Sequence, residues 1–403
     1  EAMESGNVTN DAIGTIAIGS QSLHDLTSGA GNVAVGYQTL DGIQGAHYNT
    51  AVGHQALTAQ NTNGNIANTG IGYKAGTALT SGINNTMIGA YAGYSSLLPD
   101  NTVCIGYNAG GTGEMTATAD GLVAVGSGAL AVAESPTGAT AVGFEALNSA
   151  TGGVGNTALG YQALKTSATQ GANTAVGYTA LDVCTGAENT AFGYDAGGAV
   201  TSGANNVLIG SNAGSTATND LTTGSQNTIC GDSARLSKND ASGQVSIGYN
   251  VACAGDSTIT VGHSTNVASL GLDGSDTSWA ASSDERYKEN ITDATAGLDV
   301  INDLRPVNYN WKKAKDIQKD LPMYKDSDEP VLGHKYGEVL HGFIAQEVKE
   351  VTDKHDSLKD GFKMWSVRDD GVQSVADGNL IPILVKAVQE LSAKVTELES
   401  KLK

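Results

Sequence analysis

Ten residues, Ser282 to Ile291, read SSDERYKENI. They set two serines, three carboxylates, an arginine and a lysine side by side, the densest collection of reactive side-chain types in the chain. A serine hydroxyl is a weak nucleophile until a base takes its proton. A lysine serves as that base only when neutral, which requires burial or nearby cations to lower its pKa. The same letters also spell a helix start, since Ser282 followed three residues later by Glu285 is a capping box. The two readings are compatible, because a helix start can orient a nucleophile.

The rest of the chain offers little other chemistry. Its seven histidines (His24, His47, His54, His263, His334, His341 and His355) show no HExxH or HxH spacing, so no metal site and no cofactor is expected. His341 lies beside Gly342-Phe343-Ile344 in the block HGFIAQEV and reads as structural. Glycine is abundant, yet GxxxxGK[ST] is absent, which removes a phosphate loop. No carboxylate pair for glycan hydrolysis stands out; Asp100, Glu114 and Asp120 mark only an irregular stretch, an expected inserted loop. Cys104, Cys184, Cys230 and Cys253 form no CxxC and read as small buried residues made in a reducing cytosol.

These residues are carried by two unlike sequences. Residues 1–280 hold four basic and nineteen acidic side chains, while residues 281–403 hold eighteen and twenty-three. Such a step marks a domain boundary, placed at 1–282 and 283–403. The whole chain of 403 residues carries a net charge of -20, with 53 glycines and 5% aromatics. That charge argues against nucleic-acid binding, which needs a basic face. No apolar run reaches the roughly eighteen residues of a membrane span, so no membrane insertion is expected.

The first sequence is a repeat. It reads NVAVGYQTL from Asn32, NTALGYQAL from Asn156, NTAVGYTAL from Asn173 and NTAFGYDAG from Asn189. Anchored on the recurrent glycine, from Gly19 to Gly262, most steps are seventeen residues. A fixed period of this size means a solenoid. Alternation in Thr-Ala-Val-Gly predicts short strands with one small-residue face. Asn and Ser-Gly at the borders read as turn formers, and the glycine as a positive-φ or close-approach position. Alanine at the inward positions predicts a thin core, stabilised by stacking and by neighbouring chains, with capped ends. Tyrosine follows the repeat glycine at Tyr37, Tyr73, Tyr107, Tyr161, Tyr178, Tyr194 and Tyr249. Such a row is expected to pack between coils or chains; stacking on sugar rings is the other reading. Over roughly residues 14–265 the repeats resemble the head repeats of trimeric autotransporter adhesins and repeats common in phage tail fibres, which implies a trimeric β-solenoid.

The second sequence resembles the C-terminal intramolecular chaperone of phage tail spikes and fibres, the endosialidase type. Four blocks carry the resemblance: SDERYKENI at 283–291, LRPVNYNWK at 304–312, HGFIAQEVKEV at 341–351 and NLIPILVKAVQEL at 379–391. One departure is Asp377, Gly378 and Asn379, where family members often carry a tyrosine. The resemblance implies that Ser283 and Lys288 form a self-cleaving dyad. Ser283 attacks the carbonyl of Ser282, and the ester formed is hydrolysed by water. Asp284 and Arg286 support the site, with Arg286 the candidate for the charge beside Lys288. The last residues, about 380–403, place Ile381, Leu384, Val388, Leu391, Val395, Leu398 and Leu402 at alternating spacings of three and four, a coiled-coil seam. Val or Ile at a with Leu at d favours dimers in isolated zippers, whereas the resemblance implies a trimer; the other reading is an amphipathic helix packed on its own domain.

The expected fold is thus mostly β: a homotrimeric β-solenoid followed by an α+β chaperone domain that drives trimerisation. The expected function is that of a bacteriophage tail fibre, made in the host cytoplasm, placed in the virion beside other tail proteins and binding a host surface polysaccharide or receptor protein. Autoproteolysis between Ser282 and Ser283 is the one enzymatic step expected. The alternatives are a bacterial trimeric surface adhesin, disfavoured because the repeats lead into the chaperone-like blocks and not into a membrane β-barrel; a tail spike glycan depolymerase; and a spacer whose receptor tip lies elsewhere.

Overall fold

A three-residue strand with an inward alanine is too short to stand alone, so it must stack. The computed structural model describes residues 1–3, 11–115, 119–132, 134, 136–166, 170–272, 280–281, 283–331, 335–359, 362–368 and 370–402. The chain divides into two compact units, Glu1–Ser283 and Asp284–Lys403.

In the first unit the repeats form a mostly β structure, a solenoid of about fourteen coils. Strands such as Val33–Val35, Thr50–Val52 and Thr69–Ile71 pair in parallel, each repeat position facing the same position of the next coil. The ladder runs unbroken from Ile16–Ile18 to Thr258–His263. There it reverses: Thr258–His263 pairs antiparallel with Asn266–Gly271, which pairs antiparallel with Ala280–Ala281. This hairpin covers the last parallel edge, as the edge hazard requires.

From Val33–Val35 to Val245–Ile247 the middle residue of each three-residue strand points inward and is buried, as at Ala34, Ala51, Ala141 and Ala175, while Ala17 in the first strand is only partly buried. Leu40, Leu57, Leu147 and Leu164 complete the core from the following turn, where they sit in the left-handed region, with φ near +50°. Leucine has no branch at Cβ, and its burial offsets the backbone strain. The repeat glycine is obligatory at this spacing. Gly177 has φ +139°, and a Cβ there would lie 2.1 Å from the Gly193 carbonyl oxygen.

The border asparagines are more than turn formers. Asn32, Asn49, Asn68, Asn85, Asn173 and Asn189 are fully or almost fully buried, and each amide joins neighbouring coils. Asn189 Oδ1 accepts the Asn206 backbone N–H at 3.0 Å, while Asn189 Nδ2 donates to the Gly203 carbonyl at 2.9 Å. The same bond recurs from Asn227 to Asn206, Asn173 to Asn156 and Asn85 to Asn68. Thr102 donates its N–H and hydroxyl to Asn85 Oδ1; Leu122 and Ala139, also buried, then interrupt the column. Asp100 and Asp120 belong to this border too. Their Oδ1 atoms accept from Ile83 N–H and Asp100 N–H, both at 2.8 Å. Of the cysteines, Cys104, Cys184 and Cys253 are buried, whereas Cys230, at an outward strand position, is only half-buried. Burial pushes the Cys104 thiol up to about 12 and that of Cys184 to about 11.

The second unit is α+β. Helix α1 (Leu298–Asp303) leads to strand Val307–Tyr309, which pairs antiparallel with Leu340–Gly342. Helix α2 (Ala345–Lys354) follows, then the antiparallel pair Trp365–Val367 and Gln373–Val375, then helix α3 (Ile381–Leu402). Val300, Val348, Leu358, Met364, Leu380 and Ile383 form a small core. His341 lies in the first strand pair opposite Asn308, with its side chain exposed.

Two stability outcomes follow. Asn189→Ala leaves the Asn206 N–H and Gly203 carbonyl without their buried partner, an expected loss of about 1–3 kcal/mol. It should appear as a lower urea midpoint, and an unchanged midpoint would deny the ladder its role. Asp256 fastens the last coil, accepting from Ser242 N–H at 3.0 Å and Gln244 Nε2 at 2.8 Å and pairing with Lys238 at 2.8 Å. The Lys238 bond first, then the Ser242 amide, hold its carboxyl at about 2. A folded pKa below the unfolded value contributes stability that is complete above 3.8 and lost as pH falls through about 2. Asp256→Asn should therefore lower stability at neutral pH by less than about 1 kcal/mol, because the pair is exposed, and this should be read as a lower thermal midpoint. The difference from wild type should vanish as pH approaches 2.

Candidate functional site

The second unit opens on a single helical turn. Glu285–Tyr287 forms a 3-10 turn whose cap is Asp284, and Asp284 Oδ1 accepts the Arg286 N–H at 2.9 Å. The capping box starting at Ser282 is therefore displaced by two residues: a carboxylate is a strong cap, and Asp284 has taken the position. Ser282 lies outside the described residues. Ser283 is exposed in extended chain just ahead of the cap. Lys288 closes the turn, its backbone N–H donating to the Glu285 carbonyl at 2.9 Å, and its side chain is exposed.

Arg286 does not serve as the free cation expected beside Lys288. Its guanidinium grips Asp284, with Nε at 3.0 and 3.1 Å and Nη2 at 2.5 Å from the carboxylate oxygens. This bond holds the Asp284 carboxyl below the usual range and raises Arg286. A paired cation projects little field onward, so Arg286 braces the cap. The turn thus presents Ser283 before the cap and Lys288 after it, with both side chains facing water in the single chain.

The C-terminal helix does two things with two faces. On one face Ile383 and Ala387 are buried in the unit's own core, and Glu390 Oε2 accepts the Leu298 N–H at the start of α1, at 3.0 Å. A Cβ at Gly297 would meet the Glu390 carboxylate at 2.7 Å, so a side chain there would push that carboxylate off the Leu298 N–H. On the other face Ile381, Leu384, Val388, Leu391, Val395, Leu398 and Leu402 are all exposed. Helix α1 is tied to α2 as well, since Asp303 Oδ2 accepts from Lys354 Nζ and pairs with His355 Nε2, both at 2.7 Å.

The tyrosine row is a physical ladder. Phe144, Tyr161, Tyr178 and Tyr194 stack coil on coil, with centroids 4.9–5.2 Å apart and planes within 14°. Packing between coils is thus what the rings do, while Tyr178 stays 47% and Tyr194 56% exposed. A second run, Tyr37, His54 and Tyr73, is tilted near 40° and leads to edge-on Tyr91 and Tyr107. Beside the ladder, the outward strand positions form a mainly aliphatic column that includes Ile18, Ile71, Leu159 and Ile209, with Phe192 the aromatic member, all exposed.

Among the described residues no group of three or more His, Cys, Asp or Glu is placed to hold a metal ion. No described helix is long and apolar enough to cross a membrane. The sequence reading did not single out the longest step of the repeat, Gly210 to Gly231; the irregular spacing itself was the available signal.

Searches of curated proteins and of solved structures found no match. Residues 283–357 match the family described as chaperone of endosialidase; the match begins at the serine ahead of the capped turn, and the β-solenoid precedes it in the chain.

Proposed function

We propose that the protein is a bacteriophage tail fibre whose solenoid, residues 1–282, attaches the virion to a host surface polysaccharide or receptor protein. Residues 283–403 are its intramolecular chaperone, which gathers three chains, sets their register and is then cut off. The protein is made in the host cytoplasm and joins other tail proteins in the virion. The observation that carries this reading is the chaperone match at 283–357 immediately behind the solenoid.

Two uncovered apolar surfaces support association. The α3 seam suits a helical bundle between copies, and the resemblance to the chaperone family sets their number at three. The aliphatic column lies on the outer face of a parallel sheet, a face that is ordinarily covered. A parallel ladder formed from distant coils is slow to assemble and exposes strand edges while it forms. A domain that trimerises first answers that hazard, and its removal makes the assembled state kinetically trapped.

The cut follows from the junction. Lys288 accepts the Ser283 hydroxyl proton, and Ser283 Oγ bonds to the carbonyl carbon of Ser282. The peptide C–N bond then breaks, and the leaving amine of Ser283 takes the proton. Water hydrolyses the ester, leaving a carboxylate on Ser282 and restoring the hydroxyl. Lysine acts as a base only where it is dried. Its exposed position in one chain means that the neighbouring copies supply the dry wall, so cleavage waits for assembly.

Denaturing electrophoresis with intact mass tests the cut. Wild type should yield fragments 1–282 and 283–403, and Ser283→Ala should stay whole. An intact wild type in a folded trimer would leave the turn a cap and residues 283–403 a permanent trimerisation domain. Placing aspartates in the seam, with Val388→Asp and Leu391→Asp together, should reduce the mass in solution from three chains to one and suppress cleavage. Retention of the trimer would remove the seam from the mechanism.

A further inference from the structure

The aromatic ladder stops where the repeat lengthens. After Tyr194 the ring position is taken by Ser211 and then Asp232, and a ring returns at Tyr249. Three coil spacings of roughly 4.8 Å set Tyr194 and Tyr249 about 14 Å apart. Beside this gap the step from Gly210 to Gly231 carries a loop at residues 215–220. A cavity of about 690 Å³ opens there, lined among others by Asp195, Ser215, Thr216, Asp220, Arg235 and Tyr249.

The groups around it are arranged for hydroxyls. One side of Tyr249 is covered by His263, with centroids 5.1 Å apart, and the ring also lines the cavity. Asp195 Oδ2 accepts the Ser215 hydroxyl at 2.8 Å and Asp220 Oδ1 accepts the Thr216 N–H at 2.6 Å, so each carboxylate is oriented and keeps lone pairs for another donor. Arg235 donates to the neutral Asn250 amide and has no carboxylate partner among the described residues, so the guanidinium keeps donors for a ligand. The other three cations of this unit are engaged: Lys165 pairs with Glu145, Lys238 with Asp256, and Lys74 lies over two tyrosine rings. Within the loop, Ala217 is held at φ +61°, a conformation that a non-glycine residue adopts only when its surroundings enforce it.

We propose that this cavity is a saccharide subsite for a neutral hexose unit of a polysaccharide. Tyr249 offers a ring face to the apolar side of the sugar. Asp195 and Asp220 accept its hydroxyl protons, and Arg235 donates to its oxygens. Two carboxylates against one guanidinium disfavour an anionic sugar, as does the acidic surface around them. The proposal rests on the attachment reading and locates its ligand site.

Calorimetric titration of the full chain tests it, with neutral gluco-, galacto- and manno-oligosaccharides as probes and oligogalacturonate as the anionic comparison. A neutral probe should bind, and Tyr249→Ala and Arg235→Gln should each weaken it about tenfold or more. Tyr249→Phe keeps the ring and should retain most of the affinity. Unchanged thermal midpoints establish that the variants fold, and Asp220→Asn, a change of one atom, is the second handle if Tyr249→Ala does not. Absence of neutral-sugar binding, preference for the anionic probe, or full affinity in the variants would overturn the proposal. Adsorption to host cells separates the two readings. Cell binding that survives in the variants removes this site and leaves attachment standing, whereas a wild type that binds neither sugars nor cells removes both.

Discussion

The structure depends on one hydrogen-bonded column, the buried amides that run from coil to coil along the solenoid. A core of alanines has little apolar area per coil, and alanine is indifferent to register. Sliding one coil by a residue would turn inward alanines outward and outward valines inward, but the small side chains alone would resist it weakly. The asparagine amide is selective. Its oxygen accepts the N–H one coil on, its nitrogen finds a carbonyl of the same border, and both lie where water cannot substitute. A misplaced coil therefore leaves polar atoms buried and unpaired, which costs more than the bond contributes when made. The glycine column acts with it. Because the next carbonyl occupies the space of a Cβ, the coils approach closely enough for the amides to meet.

That arrangement makes the assembled solenoid specific and its assembly difficult. Each amide is satisfied only when a neighbouring coil is already in place, so partly built stacks carry unsatisfied borders and an open strand edge. Nearest-neighbour stabilisation of this kind rewards completion and penalises beginnings. In the proposed trimer the difficulty is greater, because the aliphatic column must also meet its counterparts on other chains. Under the proposed function, a compact second domain with its own core and an exposed helical seam separates the tasks: one set of contacts brings the chains together and another zips them.

The sequence was legible where period and chemistry coincide. The seventeen-residue step gave the solenoid, and the charge step near residue 280 fell close to the division between the compact units. The heptad spacing on α3 predicted its exposed face. Burial was not legible. Asparagine beside Ser-Gly has the composition of a solvated turn, and only the stacking reveals that Asn173 or Asn189 has no contact with water. The cap at the junction was misplaced for a related reason. Ser282 and Asp284 are both competent caps, and the choice rests on where the chain enters the turn. Arg286 was read as a cation for Lys288, but a carboxylate two residues away is a nearer partner than any spacing rule conveys.

Interruptions in a regular array carry information in proportion to the regularity around them. Between Leu122 and Ala139 the amide column lapses, yet apolar residues fill the border and the strand ladder continues, so the interruption is absorbed as packing. Between Gly210 and Gly231 the amide column persists, Asn206 to Asn227, and the extra residues are expelled to the surface. An insertion that spares the register while replacing two rings by Ser211 and Asp232 costs the solenoid little and changes only what its outer edge presents. A scaffold whose stability resides in buried columns leaves its surface free to vary, and the longest coil is where that freedom is used most.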